Sequence, residues 1–412
     1  MTKKYSKAVT KCQISNSKNL ESLIFLGYLP PVNTLRKIGS TLEEEISFPA
    51  ELLYCKKSKL AQLGCIVDKE ILFPYSYPYT SSTTRILREN FANLYKDTLK
   101  ITKLNKDDLI IDIGSNDGNL LSNFKSNHKV LGVTPEKIGK LAIKRGIPTI
   151  IDYFNKKSTN IILKKFGKAK IITATNVFAH IDNINEIVKN ILKTLKSDGI
   201  FISESHYLLP LIQTVQYDTI YHEHLRYYSL QSLNYLFKKH KLEIIDTKEI
   251  PTHGGSIRVY AARKGQYKIS SNVKKQILKE NKYLNRKSFI DFKKNVVNSK
   301  IGLFNLIKKI KNNGKTIYGV GAPSRASTLI NYLGLDQDII DCVLEINGSY
   351  KIGNYIPGTK IPILNENILN KNKPNYLILF SWHIKDELKK NLRRKGFKGK
   401  FIIPLPKPKI EN

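Results

Sequence analysis

Acidic residues are scarce in this chain: 34 Asp and Glu stand against 69 Lys and Arg, a formal charge of +35. Such an excess points first to a nucleic acid or a membrane surface. The basic residues are spread along the whole chain, however, without an Arg-rich helix or a module of stacking aromatics. That distribution speaks against nucleic acid and suits a phosphate-bearing small substrate. Long apolar runs are also missing, so no stretch approaches the roughly 20 residues that a membrane span needs. Residues 1–15 are basic but lack the apolar centre of a secretion signal. Cysteine is rare: Cys12, Cys55, Cys65 and Cys342 are the four in 412 residues, which excludes a disulfide framework. Free thiols, no leader and no span together predict a cytoplasmic protein.

Hydrophobic residues make up 41% of the chain, enough to bury the cores of two or three domains. Residues 1–78 carry short apolar runs broken by Gly, Pro and polar turns, with strands or short turns expected at 51–63. A Ser/Thr cluster then opens a helix over 81–104, where Ile86, Phe91, Leu94, Tyr95 and Leu99 fall near helical spacing. A strand–helix alternation follows, with strands at 109–113, 129–133, 169–174 and 200–204 and helices at 120–125, 136–145 and 184–195. A helix at 229–239 and an antiparallel pair at 242–246 and 257–262 close this unit. Lys-rich residues 270–311 predict a long helical connector. A second α/β unit begins at Lys315, with strands at 316–320, 339–344, 376–380 and 400–403 and helices at 324–332 and 385–395. The expected class is therefore α/β, with two nucleotide-type sheets divided as 1–80, 81–265 and 266–412.

Two places carry chemistry. Asp112–Ile113–Gly114–Ser115–Asn116–Asp117–Gly118 lies where a strand gives way to a helix, and glycines there let the backbone approach a ligand. The turn is not G-x-G-x-x-G, and carboxylates at Asp112 and Asp117 suit a ligand bearing an ammonium and a sulfonium, S-adenosylmethionine (SAM), better than a pyrophosphate. The other place is Tyr221–His222–Glu223–His224–Leu225, with companions Asn176–Val177–Phe178–Ala179–His180 and His253–Gly254–Gly255–Ser256–Ile257–Arg258. The spacing differs from the helical zinc signature H-E-x-x-H. Histidine is the natural base near neutral pH, and His180 follows a strand at the edge where such sheets do chemistry.

In this order the segments resemble the sugar C-methyltransferase family that makes branched deoxysugars. The resemblance extends to Gly319–Val320–Gly321–Ala322–Pro323 with Asn331–Tyr332, Tyr355–Ile356–Pro357–Gly358–Thr359, Ile361–Pro362–Ile363 and Ser381–Trp382. It implies a zinc-ribbon-like N-terminal domain, a central Rossmann-like SAM methyltransferase domain and a second Rossmann-like domain. It also implies methylation at C-3 of a nucleotide-linked 4-keto-6-deoxyhexose. By that resemblance His224 is the base, with Glu223, Tyr221 and His180 orienting base or sugar, and Tyr77 and Tyr79 in a tyrosine-rich substrate loop. Gly114, Asn116, Asp117 and Gly118 would meet SAM together with Thr134, Asp152, Tyr153 and Asn176, while His253 and Arg258 would meet the sugar. The Gly321–Ala322–Pro323 turn would either receive the diphosphate or shape a domain interface.

Two departures qualify the resemblance. The ribbon's paired C-x-x-C motifs here read Cys12–Gln13–Ile14–Ser15 and Cys55–Lys56–Lys57–Ser58, leaving Cys12 and Cys55 as remnants of a metal site and predicting absent or weak zinc. Thr134 stands where an acidic ribose ligand is usual, with Glu136 two residues on to reach back. Two other readings remain open from the sequence: a SAM-dependent methyltransferase acting on another sugar position or an oxygen, and a non-catalytic scaffold or binding homologue.

Overall fold

In a computed structural model, residues 5–41, 43–73 and 85–412 are described. Strands β1 (Ser6–Ala8), β2 (Glu21–Leu29), β3 (Phe48–Cys55), β4 (Leu60–Leu63) and β5 (Cys65–Val67) and the short helix α1 (Lys69–Leu72) form the N-terminal part. The central part then runs α2 (Arg85–Ile101), β6 (Leu109–Ile113), β7 (Lys129–Thr134), α3 (Gly139–Lys144), β8 (Thr149–Ile151), α4 (Lys156–Lys165) and β9 (Ala169–Thr175). It continues through α5 (Ile184–Thr194), β10 (Leu195–His206), α6 (Leu208–Gln213), β11 (Arg226–Tyr227), α7 (Leu230–Lys239), β12 (Leu242–Ile250) and β13 (Ser256–Arg263). Helices α8 (Ser271–Tyr283) and α9 (Arg286–Asn312) lead to β14 (Ile317–Val320), α10 (Ser324–Leu333), β15 (Val343–Glu345) and β16 (Ile363–Asn365). The chain ends with β17 (Tyr376–Leu379), α11 (Lys385–Arg394), β18 (Lys400–Ile403) and β19 (Lys409–Glu411).

The central sheet has seven strands in the order β12-β13-β10-β9-β6-β7-β8. Strand β13 is antiparallel to both neighbours, and the remaining pairs are parallel. Every residue of β6 is buried, as expected for a strand covered on both faces. The chain reverses direction across the sheet between β6 and β9, so their carboxyl ends form the crevice where open α/β sheets take ligands. A second sheet, β16-β15-β14-β17-β18-β19, repeats the parallel principle in the C-terminal part.

Three elements differ from the sequence expectation, each for a local reason. Residues 120–125 make only a 3-10 turn at Leu121–Asn123, because Ser122 donates to the Gly118 carbonyl and Asn123 to the Asn119 and Leu120 carbonyls. The single long connector is two helices, because Asn285 accepts the Ser288 N–H at 3.0 Å and caps α9 afresh. The strand expected at 339–344 is confined to Val343–Glu345, since Asp336 accepts the Ile339 N–H and holds a turn before it.

The parts are joined through shared structure. β11, immediately after His224, pairs with β4 and so extends the N-terminal sheet, Arg226 facing Gln62. One apolar cluster includes Leu52 and Leu63 of that sheet, Leu211 and Ile220 of the central part, and Phe292, Ala326 and Leu329 beyond it. No helix among the described residues is long and apolar enough to cross a membrane.

Candidate active site

At the end of β6 the backbone of Gly114 takes φ +75, and a Cβ there would lie 2.2 Å from Val177. Only glycine lets this turn touch the turn after β9, which carries Asn176. Asp112 is buried and accepts the Thr173 hydroxyl at 2.6 Å; burial raises its pKa to about 7. Asp117 is wholly buried and paired with Arg145 at 2.9 Å. That pairing alters the expectation that both carboxylates wait for a cationic ligand, because Asp117 already has a cation.

Asn116, at φ 49, donates to Glu136 at 3.2 Å, and burial raises the Glu136 pKa. Thr134, the residue expected at the ribose position, is only 1% exposed, so Glu136 is the group that brings a carboxylate to the turn. Asp152 accepts the Tyr153 N–H at 2.7 Å and faces Lys157 at 3.9 Å. The Tyr153 ring is half-exposed beneath Lys69. These residues fit SAM: a glycine cradle that a Cβ would fill, with carboxylates at its rim for hydroxyl and ammonium groups.

Asn176, beside the turn, meets His253 of the histidine cluster at 3.5 Å. His224 Nδ1 is 3.3 Å from the Thr219 carbonyl, and its Nε2 is 3.2 Å from the Tyr221 hydroxyl. A carbonyl only accepts, so Nδ1 carries the hydrogen and Nε2 keeps its lone pair toward Tyr221. Burial above all, then the neighbouring His180 and His206, lowers the His224 pKa well below the usual range and holds the ring neutral. The His180 ring lies 5.0 Å from it, its pKa lowered by burial to about 4. His206 lies 6.2 Å away in near-parallel stacking, its pKa lowered to about 3 by burial, then by Arg325 and His253. Glu223 accepts the Asn33 amide of the N-terminal part at 2.6 Å. His222 points away: its Nε2 faces the Pro49 carbonyl at 3.3 Å and its ring packs on Phe48, so it ties segments together.

Of the companion residues, His253 comes to the site and Arg258 does not. His253, at φ 58, lies 3.5 Å from the Asn176 amide. Arg258 is wholly buried, with Nε on Glu204 at 2.8 Å and Nη2 on Asn90 at 2.7 Å. The expectation that it meets the sugar is corrected: its donors are spent holding β13, β10 and α2 together. Tyr77 and Tyr79 lie outside the described residues.

Sequence reasoning missed His206, Asp218, Arg325 and His383. Arg325 reaches from α10 to Asp218 as a two-pronged pair at 2.9 and 3.0 Å, and its Nη1 donates to His383 Nδ1 at 2.7 Å. The one available signal was His206 ending a strand on the ligand edge. At the Gly321–Ala322–Pro323 turn the Ala322 N–H already donates to Glu345 at 2.5 Å, while Lys351 donates to the Ala322 carbonyl at 2.6 Å. A diphosphate there would meet the Glu345 carboxylate beside the Lys351 ammonium, with the Ala322 N–H already donated.

The four ribbon positions do come together. Cys12 Sγ lies 3.1 Å from Ser58 Oγ, and Ser15 Oγ lies 3.5 Å from Cys55 Sγ. Burial alone would raise the Cys55 pKa, but contacts with Ser15, Ser58 and Cys12 outweigh it and lower the value. Cys65 sits elsewhere, in a small cluster with Phe48 and Val67. Two thiols and two neutral hydroxyls do not fit tetrahedral zinc, which wants thiolate or imidazole at all four corners.

Residues 12–73 match a family model of a domain named for zinc binding, residues 85–247 a methyltransferase domain, and residues 251–406 a C-methyltransferase C-terminal domain. The chain is 28% identical over 411 residues to the C-methyltransferase NovU of Streptomyces niveus, covering 98% of this chain and 97% of that protein. Among solved structures, the YcgJ protein of Bacillus aligns over 43% of this chain and 100% of its own, at 15% identity and a TM-score of 0.34. Geranyl diphosphate C-methyltransferase from Streptomyces coelicolor aligns over 43% of this chain and 79% of its own, at 12% identity and a TM-score of 0.35.

Proposed function

We propose that this C-methyltransferase homologue is a SAM-dependent sugar C-methyltransferase that methylates the carbon beside the ketone of a nucleotide-linked keto-deoxysugar. The observation that carries this reading is the bond between His224 Nδ1 and the Thr219 carbonyl. It leaves a neutral ring whose Nε2 lone pair is met by the Tyr221 hydroxyl in the resting site, and a base of this kind is what proton removal from carbon requires. A methyl acceptor on oxygen needs no enolate, so it has no use for an oxyanion donor beside the base.

A C–H beside a ketone is acidic because its electron pair moves onto the carbonyl oxygen as an enolate. His224 Nε2 takes that proton. The Tyr221 hydroxyl donates to Nε2 at 3.2 Å in the resting site; with sugar bound it turns to the developing oxyanion and frees the Nε2 lone pair. Glu223, held by Asn33, and His180, against the His224 ring, fix where the sugar can lie. Tyr77 and Tyr79 are assigned to sugar positioning on the family resemblance. SAM supplies a methyl carbon made electrophilic by its sulfonium. Gly114, Gly118 and Asn176 would shape the backbone cradle that receives it, Asn116 and Glu136 would hold its ribose, Asp152 and Tyr153 would flank its adenine, and Asp112 and Asp117 would set the polarity beneath.

The division of labour follows the three parts 1–80, 81–265 and 266–412. The first covers Glu223, the second carries SAM and the base, and the third closes the site through Arg325, Lys351 and His383. The basic surface suits the diphosphate of such a substrate. The test is product analysis: SAM and a panel of thymidine- and guanosine-diphosphate-linked 4-keto-6-deoxyhexoses, read by mass spectrometry and carbon NMR. The expected product is one methylene heavier with a new carbon–methyl bond; a methyl ether, or no transfer across the panel, would refute the proposal.

A further inference from the structure

We infer that Arg325, on the C-terminal part, is a positioning residue for proton removal, clamping the 216–219 turn that aims His224; the inference rests on His224 being the base. Arg325 is 6% exposed and makes four hydrogen bonds, two to Asp218 and one each to Gln216 and His383. Its Nε and Nη2 grip both oxygens of Asp218, which is wholly buried and also accepts the Trp382 indole N–H at 2.8 Å. Nη2 also reaches Gln216 Oε1 at 3.3 Å, and the guanidinium lies over the Trp382 ring. A planar, two-pronged pair of this kind fixes direction as well as charge.

What the clamp holds is the residue that orients the base. Thr219 directly follows Asp218, and its carbonyl accepts from His224 Nδ1 at 3.3 Å and from the Tyr227 hydroxyl at 2.8 Å. Its hydroxyl donates to the Gln216 carbonyl at 2.8 Å and meets His206 Nε2 at 3.3 Å. Gln216 donates from its amide to the Gly254 carbonyl at 2.7 Å, so the same clamp steadies the turn carrying His253. The turn needs holding. Val215, just before it, sits at φ 57, a conformation that a β-branched residue reaches only under external constraint. At the start of α10 itself, Glu345 and Lys351 hold the Ala322 backbone, which fixes the helix that carries Arg325. What this part contributes to the reaction is the order it imposes on the neighbouring site.

The test uses the full-length enzyme, SAM and whichever sugar of the panel above the wild type exchanges fastest, with deuterium wash-in beside the ketone as the readout. Misplacing the base by an ångström costs about 100-fold, so Arg325→Met should lower kcat for exchange by about that factor while KM for the sugar and Kd for SAM stay within about twofold. Arg325→Lys, which keeps the charge and loses the fork, should fall between wild type and Arg325→Met. Should Arg325→Met fail to fold, Trp382→Phe removes one donor from Asp218 and keeps a ring under the guanidinium, and a several-fold loss of kcat is expected there. Wild-type exchange in Arg325→Met, or in Trp382→Phe where that substitutes for it, overturns the clamp. Undiminished exchange in His224→Ala, or none from wild type on any sugar, would instead remove the base assignment beneath it.

Discussion

Glu136 and Thr134 divide, by two positions, a place that Rossmann-like methyltransferases give to one acidic residue. Rossmann-like methyltransferases put an acid at the end of the second strand, and here that place holds a threonine buried to 1% exposure. The acid is displaced by two residues and returns to the turn through Asn116. A carboxylate bonded to ribose hydroxyls contributes about 1.5–3 kcal/mol, so Glu136→Ala should weaken SAM binding by about tenfold to a hundredfold in a calorimetric titration. Thr134→Ser should leave it unchanged; equal losses in the two variants would return the role to Thr134. The residues most legible in the sequence, Tyr221, Glu223 and His224, are neighbours in one short segment. Arg325 was hidden because its partner Asp218 lies 107 positions away, and nothing in composition or periodicity joins the two. Arg258 erred in the opposite sense: its motif is conspicuous, but its guanidinium is buried against Glu204.

Among the elements, the strand–helix alternation was legible because each central strand is apolar on both faces and each helix keeps a 3.6-residue period. β11 was not, since two residues carry no period, yet it links the base-bearing segment to the N-terminal sheet. That sheet shows how a metal domain can keep its shape after losing ligands. Cys12, Ser15, Cys55 and Ser58 still converge, with thiol facing hydroxyl at 3.1 and 3.5 Å, and Leu60 beside them joins a buried apolar cluster. Four thiolates would rebuild a tetrahedral site, so Ser15→Cys combined with Ser58→Cys should bind about one zinc per chain. The natural sequence should bind none that survives dialysis, as read by elemental analysis. Stoichiometric zinc in the natural sequence would mean that the two serines, or residues outside those described, complete a site after all.

On the scale of the molecule, three parts read from the sequence become one working unit by sharing a core and a site. Leu52, Leu211 and Leu329, one from each part, belong to the same apolar cluster. Asn33 from the first part and Arg325 from the third reach the same short segment of the second. The order of parts was legible because each sheet writes its own local pattern. Their mutual contacts were not, because they depend on side chains far apart in the chain. The central claim is that this assembly exists to make His224 Nε2 a base toward carbon. The most direct measurement is deuterium exchange beside the ketone of the nucleotide-linked sugar, in wild type and His224→Ala, with SAM binding measured alongside. The account predicts exchange in the wild type, a loss of at least about 100-fold in the variant, and SAM affinity unchanged. Exchange persisting at the wild-type rate in His224→Ala would contradict it.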